Sequence, residues 1–95
     1  MLTARLDRLC LKPGARVLDL GCGEGRHVHG LHMRGDVDVV GLDLDRASVA
    51  RARDGLAWLE SEGLARPGVS PRLTGFLIGD ATCLPFADGA FDAVI

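Results

Sequence analysis

Three aspartates stand at comparable points of this chain. Asp19 sits in or at the end of the run ARVLDL, Asp43 follows VDVVGL, and Asp80 follows the stretch from Leu73 to Gly79. A single acid at such a place would mean little, but an ionised carboxylate only accepts hydrogen bonds, and three in comparable places around a glycine loop single out one region for ligand chemistry. Asp19 also opens a glycine cluster, Asp19-Leu20-Gly21-Cys22-Gly23-Glu24-Gly25. Glycine lets the backbone turn sharply and lets a ligand come close to the main chain. The spacing is GxGxG; the dinucleotide pattern GxGxxG would need glycine where Arg26 stands. A pyrophosphate on a helix N-terminus is poorly served by Asp19 and Glu24 nearby. A ligand carrying ammonium and sulfonium charges tolerates them better.

The elements that must position these residues alternate. Residues Thr3 to Leu11 have helical spacing, broken by Lys12-Pro13-Gly14. Strands are expected at Ala15 to Leu20, Val37 to Leu42, Leu73 to Ile78 and Phe91 to Ile95. Helices are expected from Glu24 to Arg34, ended by Gly35, and from about Arg46 to Glu62, capped by Asp45. On the second helix Val49, Ala52, Leu56 and Leu59 form an inward stripe, with Arg46, Arg51, Arg53 and Glu60 mostly outward. Gly55 interrupts it at a cost of about 1 kcal/mol relative to Ala. Gly63 to Pro71 reads as a loop. This order argues for an α/β fold, a parallel sheet with helices on its faces. Ligands of such sheets bind at the carboxyl ends of the strands, so the three acids would line one crevice.

Composition narrows the partners. Aromatic residues are 4% of the 95, so the core rests on Val, Leu, Ala and Ile, as in buried parallel strands. The net charge is −2 with no run of Lys or Arg, which argues against nucleic acid as the partner. The N-terminal segment has no long apolar stretch, so neither a signal peptide nor a membrane span is expected. Cys10, Cys22 and Cys83 form no CxxC pair and read as free thiols in a reducing cytoplasm. His29 and His32 share a helix face while His27 points elsewhere. No cysteine or acid completes a ligand set, so a surface or loop-lining role is expected rather than a metal site.

VLDLGCGEGRH resembles the first motif of S-adenosylmethionine-dependent methyltransferases of the Rossmann-like class. VVGLDLDRASVARAR resembles the second motif, and GDATCLPFADGAFDAVI the third and fourth. The match covers residues 5 to 95 and leans towards the ubiquinone-biosynthesis-like branch that methylates small molecules, including quinones and natural products. The resemblance implies a Rossmann-like sheet with helices on both faces, truncated after the fourth strand, so that residues 1–95 form only the N-terminal, cofactor-binding half of the domain. It implies S-adenosyl-L-methionine as cofactor. Asp19 would hold its ammonium group, directly or through water, and Gly21 and Gly23 would let the backbone pass close to its methionine part and ribose. Cys22 fills a position where the family commonly has a small residue. Asp43 would accept from the ribose hydroxyls, Leu44 would pack on the adenine, Asp80 would accept from the adenine amino group, and the Ala81 N–H would serve a ring nitrogen. The contacts to the methyl acceptor usually lie beyond the fourth strand, so no catalytic residue is named and the chain alone is expected to be inactive.

Structural jobs compete for the same residues. Asp19 can brace the loop, Asp43 can cap the second helix in place of Asp45, and Asp80 can form a turn. The glycines can serve strand-to-helix packing alone. Two other function classes stay open: a nicotinamide-dependent oxidoreductase, and a non-catalytic remnant or interaction module of the methyltransferase fold.

Overall fold

A computed structural model describes residues 11–63, 74–80, 82, 86 and 89–95. The helix expected at Thr3 to Leu11 lies outside these residues apart from Leu11, as do Cys10, Cys83, Ala81 and most of the expected Gly63 to Pro71 loop. The elements in chain order are β1 (Arg16–Leu20), α1 (Arg26–Arg34), β2 (Asp38–Asp43), α2 (Arg46–Ser61), β3 (Thr74–Ile78) and β4 (Ala93–Val94). They form one parallel sheet in the order β3-β2-β1-β4. The chain thus steps outward from β1 through β2 to β3, then returns to the other side of β1.

Register decides which side chains share a face. Val17 pairs with Val39, and Gly41 with Phe76. Val17, Val39 and Phe76 therefore point the same way, and they meet Val28 and Leu31 of α1 and Val49 and Ala52 of α2 in one buried cluster. Both described helices lie on this face. Leu18 and Leu42 project to the opposite face and are buried there too. At the rear of the sheet Asp92 ties the approach to β4 onto β1. One of its carboxylate oxygens accepts from the Arg16 backbone N–H at 2.8 Å.

Helix ends follow local chemistry. α1 begins at Arg26, two residues later than the expected Glu24, because Gly25 adopts φ 87° and cannot belong to a right-handed helix. A methyl group on Gly25 would also sit 3.0 Å from Ala52, His29 and Phe76. α2 is capped as expected by Asp45, whose carboxylate accepts from the Ala47 N–H at 3.3 Å and the Ser48 hydroxyl at 2.6 Å. Val49 and Ala52 are fully buried on its stripe, while Leu56 and Leu59 are half-buried. Arg53 does not simply face outward, since its guanidinium donates to the Phe76 carbonyl of β3 at 2.9 Å.

Two of the three histidines of α1, His29 and His32, join elements rather than lining a loop. His29 Nε2 lies 2.8 Å from the Ala52 carbonyl, which only accepts, so Nε2 carries the proton. The ring stands edge-on to Phe76 with centroids 5.8 Å apart. A Cβ on Gly55 would come within 2.6 Å of this ring, which explains why a mid-helix glycine is tolerated. His32 Nδ1 lies 2.8 Å from the Thr74 hydroxyl on β3. Among the described residues, no group of three His, Cys, Asp or Glu is placed to hold a metal ion, and no helix is long and apolar enough to cross a membrane.

Candidate functional site

The glycine loop after β1 folds down onto the end of β2. The N–H groups of Gly21 and Cys22 both donate to the Leu42 carbonyl, at 2.8 and 3.0 Å. The Gly23 N–H donates to Asp43 Oδ2 at 2.8 Å, and the Gly25 N–H closes a turn on the Cys22 carbonyl at 2.9 Å. Gly21 and Gly23 have φ 68° and 55°, and nothing lies within 4 Å of where a Cβ would stand on either. Their left-handed backbone requires glycine, and the space above both is open. Cys22 points inward and is buried. A Cβ on Gly41 would approach its sulfur to 2.9 Å, so the pairing of a small loop residue with a glycine in β2 lets the loop lie flat. Burial, with the negative charges of Asp19 and Asp43, pushes the Cys22 thiol up to about 11. It stays protonated at neutral pH, which supports a packing role over a redox one.

Asp19 occupies the face shared with Val17 and is only 4% exposed. Its Oδ2 is buried without a hydrogen-bond partner among the described residues. Burial raises its carboxyl from the usual range to about 6; Asp43 adds to the rise and His27 opposes it. A buried carboxylate oxygen with no donor is expensive. It borders a concavity of about 390 Å³ lined also by Gly21, Cys22, Gly23, Glu24, Arg26 and His27. His27 was not among the site residues expected from the sequence. Its position in the first turn of α1, directly after the glycine loop, is the signal that marks it.

A second concavity of about 240 Å³ adjoins the first, with Gly21 common to both. Leu42, Asp43, Leu44, Gly79 and Asp80 line the rest of it. Each oxygen of Asp43 takes one backbone donor: Oδ2 takes the Gly23 N–H, and Oδ1 takes the Asp45 N–H at 2.8 Å. A carboxylate has about four acceptor positions, so two remain for a ligand. Asp43 is thus not the side-chain cap of α2. Leu44 is 71% exposed at the rim, far more than a leucine in a finished core. Asp80 Oδ1 accepts from both the Thr82 N–H (2.9 Å) and the Thr82 hydroxyl (2.8 Å), and these bonds hold its carboxyl below the usual range. The turn-forming job therefore coexists with its place beside the cavity. Ala81 lies outside the described residues.

The three acids are staggered rather than level. Asp19 pairs with Gly41, two residues before Asp43, and Asp43 pairs with Ile78, two residues before Asp80. Another concavity of about 490 Å³ lies at the opposite end of β1 and β4, lined by Lys12, Pro13 and Asp92 among others, and holds none of these acids.

A family model described as a methyltransferase domain matches residues 17–95. The chain belongs to this methyltransferase-domain family. It is similar to the demethylmenaquinone methyltransferase of Beutenbergia cavernae, 43% identical over 91 residues that make up 96% of this chain and 31% of that protein. Among solved structures it resembles an S-adenosylmethionine-dependent methyltransferase from Methanosarcina mazei, with a TM-score of 0.73 and 29% identity over 90% of this chain and 38% of the other. It also resembles one from Thiobacillus denitrificans solved in complex with S-adenosyl-L-homocysteine, with a TM-score of 0.64 and 27% identity over 88% of this chain and 30% of the other. The methyltransferase domain described here thus spans about a third of the length of each of these relatives. The strand order and the loop after β1 are those of a Rossmann-like sheet, in agreement with the family.

Proposed function

We propose that the chain binds S-adenosyl-L-methionine along the carboxyl ends of its strands and serves as the cofactor-binding portion of a small-molecule methyltransferase. The observation that carries this reading is the buried Oδ2 of Asp19, without a hydrogen-bond partner among the described residues, on a concavity that shares Gly21 with that of Asp43. An anionic acceptor without a donor suits the cofactor's ammonium group, and the open space over Gly21 and Gly23 admits its main body. The two free acceptor positions of Asp43 suit a pair of ribose hydroxyls. Leu44 offers an exposed apolar surface for the adenine ring, and Asp80, with the Ala81 backbone, the groups for its polar edge. Each charged hydrogen bond contributes about 1.5–3 kcal/mol.

The bound cofactor supplies a methyl group already activated on a sulfonium. What these residues contribute is placement: they hold the donor by its two ends so that its methyl is presented in a fixed direction. No group in the chain is assigned as a base. A small-molecule acceptor is the reading favoured by the resemblance to a demethylmenaquinone methyltransferase, and a cytoplasmic setting fits the buried thiol of Cys22.

A calorimetric titration of the purified chain with S-adenosylhomocysteine, beside an Asp43→Ala control, tests the reading. Saturable binding weakened at least fivefold by the substitution is the expected result. Absence of binding by a demonstrably folded chain, or tight binding of NAD in its place, would sink it.

A further inference from the structure

The glycine loop is fastened to β2 by three N–H groups. Two of them, from Gly21 and Cys22, end on the Leu42 carbonyl and depend on no side chain. The third, from Gly23, ends on the carboxylate of Asp43, 20 residues away in sequence. Asp43 is held in turn from its other oxygen by the Asp45 N–H at the entrance to α2. Gly23 and Asp19 line the first concavity, whereas Asp43 lines only the second.

We propose that Asp43 is a positioning residue for the part of the site it does not line: by latching the Gly23 N–H it sets the shape of the pocket around Asp19. This rests on the cofactor reading above and adds a second role to Asp43 beyond accepting from the ribose. The latch acts at the apex of the loop, where Gly23 has φ 55° and no neighbour within 4 Å of a would-be Cβ to hold it from above. Without the carboxylate, the Gly23 N–H loses its acceptor, and the loop keeps only its two anchors nearer β1. The amino-acid end of the ligand then meets a less ordered wall, although nothing that touches it has been changed.

The test compares S-adenosylhomocysteine with adenosine, which lacks the amino-acid end, in the wild-type chain and in Asp43→Ala. The ratio of the two dissociation constants isolates what the amino-acid end adds to affinity. A residue that serves the ribose alone weakens both ligands by the same factor and leaves this ratio unchanged. The latch predicts that the ratio shrinks at least threefold. Working at about 1 M salt, where the screening length is about 3 Å, reduces the through-space effect of the lost charge on the solvent-exposed parts of the ligand. Hydrogen exchange at the Gly23 amide gives an independent readout. It should quicken in the variant while Gly21 and Cys22, bonded to Leu42, keep their protection. An unchanged ratio, or unchanged exchange at Gly23, overturns the proposal. Should Asp43→Ala fail to fold, Asp43→Leu, close in size and with no acceptor oxygen, is expected to change both readouts in the same direction, and its failure to do so overturns the proposal equally. A folded wild-type chain that binds neither ligand would instead remove the cofactor reading itself, a result readily told apart from an unchanged ratio.

Discussion

Asp19→Asn should make the chain more stable in neutral solution and blind to a pH change that the wild type feels. Burial holds the Asp19 carboxyl at about 6, against 3.8 for an exposed aspartate. A carboxyl whose folded value lies above its unfolded value takes up its proton first in the folded state. Folding is therefore favoured as pH falls from about 6 towards 3.8 and disfavoured as pH rises, with the whole penalty present above about 6. The gap of about 2 pH units corresponds to about 3 kcal/mol at pH 8, and about 2 kcal/mol of it is relieved by pH 4.5. The assay is urea unfolding of both proteins at pH 4.5 and pH 8. The stability difference between variant and wild type should be larger at pH 8 by about 2 kcal/mol. Ligand binding should show the mirror image. An ammonium bound beside Asp19 needs the carboxylate, so the affinity of the wild type for S-adenosylhomocysteine should fall about tenfold per pH unit below pH 6. The variant should bind weakly at every pH. A difference in stability that stays flat with pH would refute the reasoning from burial, and pH-independent binding by the wild type would refute the ammonium assignment.

Gly55→Ala should destabilise the chain by about 1 kcal/mol in thermal melts despite the better helix propensity of alanine, because the new methyl group meets the His29 ring at 2.6 Å; in a His29→Ala background the same change should become neutral or stabilising. Leu44→Ala should weaken S-adenosylhomocysteine binding by about 1 kcal/mol in calorimetry yet move stability by less than about 0.5 kcal/mol, since the side chain is 71% exposed before ligand covers it. The Cys22 thiol, raised from 9.0 to about 11, should react with iodoacetamide at pH 7.5 about a hundredfold more slowly in the folded chain than in urea; comparable rates followed by mass spectrometry would contradict its burial.

Much of this architecture can be read in the residues because short-range chemistry decides it. The run ARVLDL, closed by a glycine cluster, fits a strand buried on both sides, and Val17, Leu18 and Asp19 are all buried. Asp45 before a helical stripe reads as a cap, and it is one. What sequence patterns do not carry is contact between distant segments. Gly25 looks like a member of the first helix until its φ of 87° removes it. Gly55 looks like a defect until His29 arrives from α1 to occupy the space. The same limit governs the site. That Asp19, Asp43 and Asp80 stand at successive strand ends can be read from the sequence. That Asp19 is almost wholly buried, that Asp43 holds Gly23, and that His27 borders the same hollow as Asp19 depend on how the loop lies against β2, which no spacing in the chain encodes.

The stagger of the three acids also makes the sheet a ruler. Each step from one strand to its neighbour moves about 4.8 Å sideways and two residues, about 7 Å, along the strand direction, so one tread measures about 8 Å. Two treads separate Asp19 from Asp80, a span of about 16 Å between backbone positions. A free amino acid resting on the first tread cannot reach the last, and a bare nucleobase at the last cannot reach the first. Only an elongated molecule with polar groups at both ends satisfies the whole staircase, and the gauge is set by the pairing of β1, β2 and β3. A slip of one residue in β2 would change the length measured and at the same time turn Asp43 to the other face of the sheet. Hydrogen bonds in the middle of the sheet, remote from the proposed ligand, would thereby set the length of the molecule that the strand ends accept.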